Sequence, residues 1–349
     1  MVTAIQKVHG YLHREVSIAP LIVFRIFFGG LLLYSTGRTW SKGWIEINYL
    51  EPTFHFPFIS WLSPLGGQGM YIVYALLMVF AVGILLGLLY RLSVAGFLLL
   101  FTYVELLDKS FYLNHYYLVT LLVFWLLFVP ANRWFSVDAV LFPTIRRDRC
   151  SNWHILIFKV QLSIVYFFAG LAKVNPDWLF KAQPLATWFP GLYELPILGR
   201  YLHLKEVAFL FSWAGCLYDL TIWIFLWIKK TRGLAYVGVL TFHIMTGILF
   251  PRIGMFPYIM IISTIIFFST EWHEKLLRFL TKVVKWRKTT VVPPQPTVDR
   301  RSSRLITALI ACYVLVQLYL PLRYLQYPGN LFWHERGYRF SWRVMLMEK

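Results

Sequence analysis

The sequence predicts an all-α integral membrane protein, a helical bundle of about nine transmembrane helices. Three observations predict it. Hydrophobic residues make up 58% of the 349 positions and charged residues only 14%, with a mean hydropathy of +0.60. Apolar stretches recur at roughly the length of about 20 residues that a bilayer core requires of a helix. The strict alternation of polar and apolar positions that a lipid-facing barrel needs is missing.

In chain order the stretches run roughly through 18–36, 70–90, 92–107, 115–129, 155–173, 207–228, 233–250, 255–269 and 304–321. The first follows a polar segment, MVTAIQKVHGYLHREVS, that lacks a small-residue cleavage site, so it reads as its own anchor rather than a cleaved leader. Between the last two, residues 274–304 change from an amphipathic basic run to a Pro-rich polar one. They read as a cytoplasmic linker whose first part suits a membrane surface. The expected organisation is a transmembrane region over 1–321 that includes this linker, then a short outer tail over 322–349. No large soluble C-terminal domain is expected after that tail, which is rich in aromatics and arginine.

Charge sets the expected orientation. Lys7, Arg14, the cluster from Arg133 to Arg149, Lys229, Lys230, Arg232 and the run from Lys275 to Arg304 all fall on one side when the N-terminus is cytoplasmic, which puts the C-terminus outside. The net charge of +18 is then a surface facing anionic lipid, and a nucleic-acid partner is not expected. Cys150, Cys216 and Cys312 lack the spacing of a zinc site or a disulfide framework. His9 and His13 sit four apart in a polar tail and read as a surface pair, so no metal is expected.

Polar residues inside apolar helices carry the functional signal, because each is costly there without a partner or a task. Lys173 ends the fifth stretch in YFFAGLAKVNPDW, on one helical face with Lys159 and Tyr166 and beside the small Ala169 and Gly170. Its amine reads either as a dry, uncharged base or as a snorkelling helix-end cation. Asp177, after the helix-ending Pro176, would oppose the base role if it turned back toward the amine. An amine bathed in solvent, or clamped in a tight carboxylate pair with no cavity beside it, would end the enzymatic reading altogether. His115 reads as a ligand-binding or proton-shuttling histidine or as an interfacial one, and His243 as part of a polar stripe with Thr246 or as a satisfied core residue. Arg25 lies mid-helix, and Asp219 is its expected structural partner.

Several segments, in order, resemble the vitamin K-dependent γ-glutamyl carboxylases and their bacterial homologues, which share a horizontally transferred transmembrane domain. They include FRIFFGGLLL, LGLLYRLS, AGLAK followed by DW, FHIMTGILFPRIGMFPYIM and GYRFSWRVMLMEK. The resemblance implies an enzyme that uses vitamin K hydroquinone, or menaquinol, with O2 and CO2. Its lysine base matches Lys173: epoxidation of the quinol would generate a strong base that removes a γ-proton from a peptide glutamate, and the carbanion would take up CO2. Such chemistry requires a water-free pocket. By the same resemblance His115 acts at the quinone, while His243, Asn114, Tyr166, Arg252 and Trp342 are its expected binding residues.

Thr246 stands where the family usually has asparagine, and the animal enzymes continue into a large outer domain. Quinol epoxidation without carboxylation is therefore one alternative. A non-catalytic membrane protein that binds or gives immunity to a peptide is another. An ion-coupled transporter is disfavoured, because no internal repeat is evident. The expected partners are the lipid bilayer and a glutamate-containing peptide or protein, and the expected location is a bacterial inner membrane rather than the endoplasmic reticulum.

Overall fold

The computed structural model describes residues 2–285 and 300–343. All nine apolar stretches lie in helix: Ala19–Ser41, Gly69–Leu86, Tyr90–Leu106, Asn114–Phe128, Trp153–Lys173, Lys205–Trp227, Arg232–Leu249, Phe256–Thr264 with the following turn Ile265–Phe267, and Arg300–Leu322. Among the described residues six candidate spans are long and apolar enough to cross a membrane, which makes this an integral membrane protein. Three of the expected spans are shorter. Asn114–Phe128, for example, stops two residues before Pro130, whose ring disfavours helix in the residue ahead of it. One small ribbon departs from the all-helical expectation: Glu15–Ser17 pairs antiparallel with Arg149–Ser151, with Val16 opposite Cys150.

The chain forms two compact units, one of residues 1–159 and 258–309, the other of residues 160–257 and 310–349. In the first, Ala19–Ser41, Gly69–Leu86, Tyr90–Leu106 and Asn114–Phe128 pack in sequence order. The amphipathic segment expected on the membrane surface is the helix Thr270–Val283. It is capped by Ser269, whose hydroxyl accepts from Trp272 N, and it packs on Ala19–Ser41 with His273 and Leu277 buried. The Pro-rich part of the expected linker, residues 286–299, lies outside the described residues.

Arg25 corrects one expectation. It is fully buried, and its guanidinium donates to Ile84 O at 3.0 Å, Leu85 O at 2.7 Å and Phe135 O at 2.6 Å, not to Asp219. The physical reason is that the C-terminal carbonyls of Gly69–Leu86 have no intrahelical donors and carry the negative end of the helix dipole, so they accept a buried cation without a carboxylate. Across the tight turn that follows, Asp138 accepts from Leu89 N at 2.7 Å and Tyr90 N at 2.9 Å, opposite charge at the opposite helix end. Gly87 makes this possible. Its φ is +63°, and a Cβ there would lie 2.5 Å from Ser136 Cβ and 2.7 Å from Arg25 Nη1. Gly87→Ala is therefore expected to cost about 1–3 kcal/mol, read as a lower thermal midpoint in detergent. An unchanged midpoint would mean that the turn reorganises freely.

The second unit is built on Lys205–Trp227, which packs against Arg232–Leu249 and against the short helices Pro176–Lys181, Leu185–Trp188 and Gly199–Leu202. Trp178, Leu185, Phe189 and Leu202 form its apolar centre. This packing holds the end of Trp153–Lys173 in place.

Candidate active site

Trp153–Lys173 ends at Lys173 because Pro176 cannot continue it and Asn175 takes over the exposed groups. The Asn175 side chain donates to Ala172 O at 3.0 Å and accepts from Trp178 N at 3.0 Å, so it closes one helix and opens Pro176–Lys181. Trp178, started in this way, donates its indole N–H to Ser212 O at 2.7 Å on the neighbouring helix. Its ring then lies 5.4 Å from Lys173 Nζ, within cation–π range.

Lys173 is 5% exposed. It donates to Asp219 Oδ2 at 2.6 Å and to Ala169 O at 3.2 Å. Gly170 sets this approach, for a Cβ on it would lie 2.6 Å from Leu220 N and 3.0 Å from the carbonyl carbon of Asp219. Asp177, whose direction the sequence leaves open, does not face the amine: it pairs with Lys181 at 2.8 Å in an exposed i,i+4 contact. Lys173 is also not the unpartnered amine of the base reading, since Asp219 clamps it. Sequence reasoning missed this partner, although a carboxylate in mid-helix required some buried cation.

Two helical turns back on the same face, Tyr166 OH lies 3.1 Å from His243 Nε2, and both side chains are buried. The Tyr218 ring stacks on Phe242 at 4.0 Å and meets Tyr166 edge-on at 6.0 Å. Phe256 meets the His243 ring edge-on at 5.4 Å. Thr246 donates to Phe242 O at 2.7 Å, so its hydroxyl serves its own helix. The second unit thus gathers Lys173, Asp219, Tyr166 and His243 in an aromatic, water-poor setting.

The other expected residues are distributed elsewhere. Trp342 is buried in the C-terminal tail next to Arg343, which stacks over Tyr324 at 4.4 Å. Arg252 lies in the turn Pro251–Ile253, and its side chain is outside the described residues. Lys159 sits over the Phe267 ring at 5.8 Å in the first unit. His115 and Asn114 also belong to the first unit: His115 is buried against Tyr116 at 4.5 Å, and Asn114 Oδ1 accepts from Tyr112 OH at 2.9 Å. A cavity of about 320 Å³ opens there, lined by Tyr49, Tyr74, Glu105, Asp108 and Tyr116 among others. Its position next to Asn114 and His115 was not legible in the sequence. Tyr49 comes from a short turn between helices that carries no motif.

Buried apolar helices, an internal lysine–carboxylate pair and a tyrosine–histidine contact define a helical membrane protein with ionisable side chains paired in its interior. The chain belongs to the HTTM-domain family, whose family model matches residues 13–272. A second model, that of the lumenal domain of vitamin K-dependent gamma-carboxylase, matches residues 302–349. Together the two matches support the carboxylase resemblance read from the sequence. No solved structure matches the chain.

That family implies vitamin K hydroquinone, O2 and CO2. The residues of the second unit fit a hydroquinone on one observation. His243 Nδ1 is buried with no hydrogen-bond partner, while its Nε2 is held by Tyr166, which leaves a polar atom available to a ligand hydroxyl in an otherwise apolar shell.

Proposed function

We propose that this chain is a vitamin K-dependent carboxylase-like membrane enzyme that oxidises a hydroquinone of the vitamin K or menaquinone type, with the Lys173–Asp219 pair as its proton acceptor. The observation that carries the reading is the buried contact of 2.6 Å between the two groups, next to Tyr166 and His243. Only Oδ2 of Asp219 is engaged by Lys173, so Oδ1 is the atom at which a proton from a ligand hydroxyl would arrive. Tyr166 orients His243, and His243 Nδ1 would hold the second hydroxyl of the ring. When bound, the hydroquinone supplies the reducing equivalents for oxygen chemistry. Dryness matters for that chemistry, and Trp178, Tyr218 and Phe242 supply it.

The proposal includes the finer parts of the sequence reading: nine membrane segments with the N-terminus cytoplasmic, and a glutamate-bearing peptide as the carboxylation partner. A second reading has its own observation. Ammonium and carboxylate satisfy each other in the closed pair, as they would in a non-catalytic membrane protein on the same scaffold. Purified protein in detergent, given vitamin K hydroquinone and air, is expected to form the quinone epoxide. If no epoxide forms while the protein is shown to be folded, the scaffold reading is the correct one.

A further inference from the structure

A second cavity in the first unit, about 970 Å³, lies at the end of the helices where Tyr90–Leu106 begins and Asn114–Phe128 ends. Its polar lining is mainly cationic: Arg91, Arg133, Arg147 and Arg149 face it, with His154, against the carboxylates of Glu15 and Asp148. Glu15 is already taken by Arg149 at 3.5 Å. Arg147 is steadied by Thr144 O and Arg146 O, carbonyls that orient the guanidinium without neutralising it. The Arg133 side chain makes no hydrogen bond or ion pair among the described residues, and the Arg91 side chain has only the face of Tyr90 at 5.7 Å there. Burial and the neighbouring charges of Arg147 and Arg91 hold the Arg133 guanidinium below its ordinary pKa. Like charges gathered around a cavity with one uncommitted carboxylate between them lack a counter-anion.

We infer that this cavity binds a phosphate-bearing anion, the headgroup of an anionic phospholipid. Arginine suits the ligand, because its planar fork meets phosphate oxygens in pairs. The volume is far larger than a lone phosphate requires and falls in the range of small-molecule sites. Lipid is favoured over a soluble phosphate by the adjoining short helix Val137–Leu141 and its C-cap Phe142. There Val140, Leu141 and Phe142 are 46%, 57% and 53% exposed, an apolar edge that would sit among acyl chains while the arginines meet the headgroup level. Nothing in this inference depends on the hydroquinone reading.

The test is isothermal titration of the detergent-purified full chain with three probes: dioctanoyl phosphatidylglycerol, dioctanoyl phosphatidylcholine and inorganic phosphate. The unsubstituted protein is expected to bind phosphatidylglycerol and neither of the others measurably. The variant Arg91→Gln/Arg133→Gln removes neither a hydrogen bond nor an ion pair within the protein, and it is expected to lose at least about tenfold in affinity. Arg133→Lys, which keeps the charge and loses the fork, should bind more tightly than Arg133→Gln and less tightly than the unsubstituted protein. Unchanged affinity in a double variant that elutes as a folded protein overturns the site. Binding of inorganic phosphate as tight as that of the lipid overturns the lipid assignment.

Discussion

Lys173→Ala is expected to lower quinol epoxidation by at least about 100-fold and to lower stability by about 3–5 kcal/mol. Both effects arise from one contact. The activity falls because the proposed proton acceptor loses half of its pair. The stability falls because Asp219, 5% exposed, is left as a buried carboxylate without its cation. Asp219→Asn should do the reverse and strand the ammonium, with a similar cost. The double substitution Lys173→Met/Asp219→Leu separates the two consequences: replacing a buried ion pair by apolar groups of similar size is often neutral or stabilising, so the thermal midpoint should return while activity does not. Thermal unfolding followed by tryptophan fluorescence and chromatographic detection of the epoxide read the two arms. Full turnover by Lys173→Ala would remove the pair from the chemistry. A double variant as unstable as the single ones would mean that the pair is not the dominant contact at this helix crossing.

Gly170→Ala is expected to have the next largest effect. The added methyl would approach Leu220 N at 2.6 Å and Asp219 C at 3.0 Å, and both are backbone atoms that no side-chain rotation can move aside. The two helices must separate, at a cost of about 1–3 kcal/mol. The separation also lengthens the contact between Lys173 and Asp219, and a displacement of about 1 Å at a reacting group can lower a rate by about 100-fold. Gly191→Ala is the control, since nothing lies within 4 Å of a Cβ there and no change is expected. Equal midpoints and equal turnover for the two variants would show that the crossing is looser than its geometry.

Lys173 was legible as a candidate because an ionisable residue in an apolar run is conspicuous in any sequence, and its neighbours Ala169 and Gly170 already marked a close approach. Its partner was not legible. Asp219 is equally conspicuous, yet the sequence offers Arg25 as readily as Lys173 for its partner, since composition cannot distinguish one buried cation from another. The assignment turned on backbone carbonyls: Arg25 found three of them at the turn after Gly69–Leu86, and this left Asp219 to Lys173. The Tyr166–His243 contact joins residues 77 positions apart, and the face shared with Lys173 foretold only one side of it. The basic cavity drew no notice at all, because its arginines read as ordinary orientation signals until the fold placed them around one space.

What the sequence by itself determined is the solvent this protein lives in, the helical periodicity of its apolar runs and the polar residues that stand out within them. These follow from local composition and from the need to satisfy every backbone group inside a bilayer. Only the tertiary structure decided which buried charges meet, because pairing depends on how closely two helices approach. At the centre of the proposed site that approach is governed by the absence of a side chain at Gly170.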